Sequence, residues 1–436
     1  MSNRDKIIND ALELAWHGQS AGSSLQRWVE ICEKENWGDI PENIPLLIAI
    51  FGASWYFTRY IYYRGRDAAD MLDKLSEFDF SPDSFSQRLM TATEMTGIDE
   101  KLDQLRLLKN EIMLQILAAK LAGNINQEQT EEALTDLADI CLDEILEIFE
   151  FDELEGVVYS VYGLGRMAGH EMTFGSDLDL IFLYESSSQE QIYELSRKVR
   201  QLMREIATAG AAGTLYDVDM RLRPHGTSGA LLTSSASFIE YNQEEREIWE
   251  RQMMTRCEAV IDKRGLGQSC LDKVNPAIYA EYDQEYLRSE ILAMRKRVER
   301  EKGVLKGKFE VKRGRGGLMD IDFLTHFIQL AHGARIQQLQ TCSTRAVLSA
   351  AAVHGLLDKQ STEELLSAYD FLKQAESVIR LFDMKPVSAF SVDTEAHAAV
   401  AAAMGYAGNK APDFLEKYND VTSTVRNEFI MHVGKL

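Results

Sequence analysis

Gly163-Leu-Gly-Arg-Met-Ala-Gly-His-Glu-Met-Thr-Phe-Gly-Ser-Asp-Leu-Asp-Leu-Ile-Phe-Leu-Tyr184 is the stretch on which the fold turns. Glycines cluster where an apolar run ends, and Asp177 and Asp179 then alternate with leucines. Alternation of period two predicts a strand, with both carboxylates on one face and Leu178, Leu180 and Phe182 on the other. Paired carboxylates at the start of a buried strand repel each other unless a cation lies between them. Mg²⁺, a hard divalent ion taking oxygen ligands, suits that place. Glycine backbone nearby allows close approach of a polyphosphate. The segment therefore points to metal-dependent phosphoryl or nucleotidyl transfer.

Outward from this segment, β-branched and aromatic residues predict a preceding strand over Val157–Tyr162, and a second over Asp177–Tyr184. A helix is expected over Gln191–Ala209 and a third strand over Leu215–Arg223, ended by Pro224. On that third strand Asp217, Asp219, Arg221 and Arg223 share one face, and Val218, Met220 and Leu222 the other. Ala230–Thr233 reads as a short fourth strand. Residues 1–150 read as helical, with stripes such as Ile8, Ala11, Leu12, Ala15 and Leu105, Leu108, Ile112, Ile116, Ala119, broken near Pro41, Pro45 and Pro82. Helical periodicity returns from Ser235 to the C-terminus, interrupted by a Gly-rich basic loop over Gly303–Gly317. The expected fold class is α+β: a mixed-sheet domain (151–265) between an N-terminal helical region (1–150) and a C-terminal helical bundle (266–436).

Asp177, Asp179 and an acid from the third strand could surround one or two Mg²⁺ ions, an arrangement for in-line attack on phosphorus. Pattern alone does not choose between Asp217 and Asp219, and the same acids could instead cap turns or pair with Arg221 and Arg223. Gly163, Gly165 and Gly169 around Arg166 form neither a P-loop, since no GKS or GKT follows, nor a dinucleotide fingerprint, since the next strand arrives too soon for a crossover helix. Lys306, Lys308, Lys312, Arg313 and Arg315 precede Gly316-Gly317 and a helix expected near Leu318. Such a loop could close over a triphosphate, touch a protein substrate, or simply be solvated. Asp320 and Asp322 read as first-turn acids complementing the helix dipole. Tyr241 and Trp249 read as core residues rather than an adenine platform.

The 436 residues carry a formal net charge of -22, which argues against a protein that coats nucleic acid. Five cysteines without a CxxC pair argue against a disulfide framework, and eight scattered histidines show no zinc spacing. The N-terminus lacks the apolar core of a signal peptide, and the apolar run Ile44–Phe57 is too short to span a bilayer. The chain reads as soluble and cytoplasmic. Between Leu121 and Gly156 there is no Lys or Arg, while Glu144, Glu147, Glu150, Asp152, Glu153 and Glu155 accumulate. This predicts a solvated helix face, or a docking surface for a basic partner.

Several motifs together resemble the glutamine synthetase adenylyltransferase (glutamate–ammonia-ligase adenylyltransferase) family of polymerase β-like nucleotidyltransferases. They are Gly163-x-Gly165…Gly169-x-Glu171…Gly175-Ser176-Asp177-Leu-Asp179 and Val218-Asp219-Met-Arg221-Leu-Arg223-Pro224-x-Gly226-x-x-Gly229. Trp249-Glu250-Arg251-Gln252 and Gly316-Gly317-Leu-Met-Asp320-Ile-Asp322-Phe323 follow, so the set spans about 160 residues. Family members typically carry two such modules, one removing AMP from a glutamine synthetase tyrosine by phosphorolysis and one attaching AMP from ATP. Gly175-Ser176, Leu232-Thr233-Ser234 and Asp320-Ile321-Asp322 are similar to the adenylylating module, and Met220-Arg221-Leu222 to the removing one. The resemblance implies Asp177, Asp179 and Asp219 as metal ligands, with Asp219 also helping to deprotonate the tyrosine. It implies Gly163, Gly165, Arg166, Gly175 and Ser176 around the triphosphate, and Arg221 and Arg223 are grouped with these nucleotide-binding residues. It further implies ATP as substrate, glutamine synthetase as target and a PII-type signalling protein as partner. Arg166, Ala168 and Asp322 stand where the family usually has Lys, Gly and Glu. Adenylylation is the favoured direction; adenylyl removal by the same site and a non-catalytic docking module are the alternatives.

Overall fold

A computed structural model of the chain describes residues 3–37, 43–210, 212–244, 246–303, 307–392, 394–406 and 410–434. Lys306 of the basic loop lies outside the described residues. The fold is α+β, with a small mixed sheet among many helices. Strands β1 (Val158–Leu164), β2 (Leu178–Glu185), β3 (Val218–Asp219), β4 (Leu232–Ser234) and β5 (Cys257–Ile261) form this sheet in the order β3-β2-β1-β5, with β4 also on β2. β1 runs antiparallel to β2 and β5, and β2 runs parallel to β3 and β4. The parallel pairing of β2 with β3 requires a crossover. The amphipathic helix Gln189–Ala207, capped by the Ser188 side chain, supplies it. A two-stranded sheet, β6 (Lys308–Glu310) with β7 (Ala389–Ser391), lies within the C-terminal helices.

The central sheet is buried on both faces, and strand alternation sorts its residues between two cores. Val161, Leu178, Leu180 and Phe182 pack with N-terminal helices such as Ile98–Leu121 and Gln127–Ile148. Tyr162, Leu164, Ile181 and Leu183 pack with C-terminal helices such as Leu318–His332 and Lys359–Leu381. Asp179 keeps step with Ile181, so the carboxylate face is the one turned toward the C-terminal helices. Helix Gln127–Ile148 starts where its sequence requires: Asn126 and Gln129 form a reciprocal capping box. No helix among the described residues is long and apolar enough to cross a membrane; the Ile44–Phe57 run is split between helices Ile44–Ala53 and Trp55–Arg64.

The expected third strand is corrected. Of Leu215–Arg223 only Val218–Asp219 pairs. The Asp219 carboxylate accepts the Arg221 backbone N–H at 2.8 Å, an Asx-type contact that rolls the chain out of the extended form. Arg223 then binds the carbonyls of Met220 at 2.7 Å and Ala230 at 2.9 Å, fixing a turn in place of a strand. The basic loop is corrected too, since Lys308–Glu310 is strand β6. The acidic stretch is only partly solvated. Glu144 is buried, and Lys263 Nζ lies 2.8 Å from Asp143 and 2.9 Å from Asp152.

His170, at the end of the glycine turn, has a left-handed φ of 52° and lies 3.6 Å from Glu258 and 3.9 Å from Asp136. The Glu258 carboxylate beside it, working against burial, holds the imidazole up at about 9. A raised folded-state value stabilises fully below the unfolded value of about 6.5. That contribution is lost as pH rises through the folded value. The Tm difference between the native chain and His170→Asn, which tolerates the left-handed backbone, is therefore expected to be largest near pH 6 and to vanish by about pH 10. Thermal melts across that range check it.

Candidate active site

The register of β2 on β3 makes Asp179 and Asp219 Cα partners, with Asp177 just ahead of β2. Directly opposed residues of a parallel pair share a face, so Asp179 and Asp219 face the same way at one end of the sheet, with Asp177 two residues ahead of Asp179. Burial, reinforced by Asp177 and Asp219, raises the Asp179 carboxyl to about 7. Asp219 rather than Asp217 is the acid coupled to Asp179; Asp217 serves through its carbonyl, which accepts the Leu178 N–H at 2.8 Å. Arg221 grips the Asp219 carboxylate through Nε and Nη2 and holds it below the usual carboxylate range. That makes Asp219 a poor proton acceptor as long as Arg221 stays.

Among the described residues, no three His, Cys, Asp or Glu side chains converge as a ready metal centre. Asp219 is turned onto Arg221, whose guanidinium stands in for a cation there. The donor set nevertheless fits Mg²⁺: all ligands are hard oxygens, and the repulsion that raises Asp179 is what a divalent ion relieves. Arg221 is 75% exposed, so its departure from Asp219 is cheap.

The glycines divide by role. Gly165, with φ at +60°, brings backbone beside the carboxylates: a Cβ there would lie 3.5 Å from Asp179 Oδ2. Gly163 sits near the end of β1, and a Cβ would meet Val260 at 2.9 Å and Met167 at 3.1 Å, so close packing explains it. Gly175, with φ at +67°, lies against the backbone of Met384 and Lys385. Ser176 Oγ accepts the Thr173 N–H at 3.0 Å and faces Arg380 Nη1 at 3.3 Å, which locks the loop ahead of Asp177.

Arg166 departs most from expectation. It is bound to Asp322 at 2.9 Å and Glu171 at 3.0 Å, with the Tyr369 hydroxyl at 2.7 Å. A guanidinium so enclosed is not free to hold a triphosphate. Arg223 is likewise spent on backbone carbonyls. Asp320 and Asp322 are ion-pair hubs rather than dipole partners: Asp320, fully buried, binds Arg295 and Arg426, and Asp322 binds Arg166 and Arg256.

A cavity of about 320 Å³ opens beside Arg221, lined by Ile181, Phe238, Tyr241, Asn242 and Trp249. Tyr241 and Trp249 lie on separate helices, Ser235–Gln243 and Ile248–Met254, and Trp249 is 44% exposed. Both are cavity walls rather than core. Sequence reasoning missed Arg380 and Lys373, which reach the site loop from about 200 residues away, and Glu376, which pairs with Arg380; on their own helix they read as an ordinary polar face.

Residues 46–273 match the family described as glutamate-ammonia ligase adenylyltransferase, and residues 286–432 match a PII-uridylyltransferase family. Similar curated proteins are named bifunctional glutamine synthetase adenylyltransferase/adenylyl-removing enzyme. That of Chromobacterium violaceum is 30% identical over 88% of this chain and 44% of its own length. That of Hahella chejuensis is 31% identical over 77% and 37%, and that of Neisseria meningitidis 30% over 79% and 39%. The chain thus spans less than half the length of the curated relatives it matches. The carboxylate site, its glycine turn and the match over 46–273 agree, and the chain belongs to the glutamate-ammonia ligase adenylyltransferase family.

Proposed function

We propose that this chain transfers AMP from ATP to a tyrosine of glutamine synthetase, in the cytoplasm, with Asp177, Asp179 and Asp219 holding one or two Mg²⁺ ions. The observation that carries the reading is the Asp179–Asp219 pairing across β2 and β3, beside an aromatic cavity of nucleoside size. Bound Mg²⁺ would neutralise the triphosphate and lower the pKa of the attacking phenol. The chain's own work is positioning: Gly165 admits the phosphates, Tyr241 and Trp249 flank the base, and Arg221, released from Asp219, turns to the nucleotide. The division 1–150, 151–265 and 266–436 is proposed to follow function, with a sheet that carries chemistry between two helical regions. The match of 286–432 to a PII-uridylyltransferase family supports a PII-type protein as regulator, and the net charge of -22 supports a chain with no nucleic-acid role.

The test is incubation with glutamine synthetase and α-labelled ATP. Label is expected on a tyrosine of the target. Phosphate-dependent release of ADP from adenylylated glutamine synthetase, without label transfer, would instead assign the removing direction. Binding of both partners with neither reaction would leave a docking module.

A further inference from the structure

We propose that Lys312 is the cation that grips the β- and γ-phosphates of the nucleotide, delivered to the carboxylate site from the C-terminal helical region. This rests on the nucleotidyltransferase reading above and assigns a ligand that the glycine turn does not provide. Arg166, the cation nearest that turn in sequence, is held by Asp322 and Glu171. Lys312 lies on the strand-to-helix turn before Leu318, and its backbone is clamped on both sides. Its N–H donates to Glu310 Oε1 at 3.0 Å, and its carbonyl accepts from the Met319 N–H at 2.9 Å.

The charges around it are unequally satisfied. Arg256 pairs with Glu171 and with Asp322. Lys373 donates to the Glu171 carbonyl at 2.6 Å and lies 3.5 Å from Glu131. Arg380 lies 3.0 Å from Glu376 Oε1 and donates to the hydroxyls of Thr173 at 3.4 Å and Ser176 at 3.3 Å. Lys312 Nζ approaches that same Oε1 no closer than 3.9 Å, beyond hydrogen-bond reach, and Nζ makes no hydrogen bond to a carboxylate among the described residues. A lysine ammonium without a hydrogen-bonded counter-ion, beside Arg166 and Arg380, is a place for an added anion.

Its position fits the phosphates. Glu376 links Lys312 to Arg380, and Arg380 reaches Ser176 Oγ, the residue before Asp177. Asp179 lies on the sheet face turned to the C-terminal helices, the side from which Lys312 approaches. With 24% of its side chain accessible, Lys312 is open to a ligand. Burial, resisted by Glu376, brings its amine down to about 8, still mostly protonated near neutral pH. A compact ammonium suits a polyphosphate as a point charge, where Arg166 would act as a fork.

Equilibrium binding of ATP, pyrophosphate and AMP to the full chain tests this, with Lys312→Met and Lys312→Arg. Lys312→Met is expected to weaken ATP and pyrophosphate about tenfold or more while leaving AMP, which lacks those phosphates, unchanged. Lys312→Arg is expected to recover most of the loss. A second measurement needs no variant: limited acylation of the native chain, read by peptide mass spectrometry. ATP or pyrophosphate should shield Lys312 and AMP should not. Unchanged ATP affinity in Lys312→Met, equal loss for ATP and AMP, or equal shielding by AMP overturns the assignment. Failure of the native chain to bind ATP at all would overturn the nucleotide reading itself, a distinguishable outcome.

Discussion

Asp177→Asn combined with Asp179→Asn is expected to lower AMP transfer by about 10³-fold or more, with the fold intact. The loss is large because the two carboxylates are the charge that would hold a divalent ion, and an amide carbonyl at the same place carries no net charge. The fold survives because these carboxylates oppose each other: burial and the charges of Asp177 and Asp219 already raise Asp179 to about 7. Removing that repulsion leaves Tm in metal-free buffer no lower than that of the native chain. Label transfer from α-labelled ATP and parallel thermal melts check both halves. Full transfer by the double variant would exclude this site as the catalytic one.

The second large effect is structural. Glu171→Gln is expected to cost about 3–5 kcal/mol, because it leaves two buried guanidinium groups, Arg166 and Arg256, to share the single charge of Asp322. Glu171 is 1% exposed and receives Arg166, Arg256, the Tyr369 hydroxyl at 2.6 Å and the Thr344 N–H at 2.7 Å. Burial would raise its carboxyl, but Arg256, Arg166 and Lys373 outweigh burial and hold it far below the usual range. Its stabilisation is therefore present above the unfolded carboxylate value of about 4.3 and is lost as pH falls toward the folded value. Glu363→Gln, on a side chain 67% exposed, is the matched control and should change stability by less than about 0.5 kcal/mol. Urea unfolding at pH 7 separates the two. A loss as small as the control's would mean that water reaches the Glu171 cluster.

Glu171 also shows why the site was only half legible in the sequence. The motif around Gly163–Asp179 was readable because strand alternation is a local property: Asp177 and Asp179 must share a face whatever surrounds them. The β2 pairing that joins Asp179 to Asp219 was plausible from a second alternating segment. The length of that segment was not, because the contact of Asp219 with the Arg221 N–H ends the strand, and such side-chain to backbone bonds do not show in a hydropathy pattern. The fate of Arg166 was hidden for a different reason. Its neighbours Asp322 and Tyr369 lie more than 150 residues away, and a charged side chain is assigned to solvent or ligand until tertiary packing encloses it.

By itself the sequence determined the α+β class, the strand pair that carries the acids and the family, because period and motif are written in neighbouring residues. Only the tertiary structure decided which charges are free to act. Burial pairs Arg166, Arg256 and Asp320 with partners distant in the chain, since an unpaired ion inside a protein is costly. The same packing leaves Arg221 exposed on Asp219 and Lys312 without a hydrogen-bonded counter-ion.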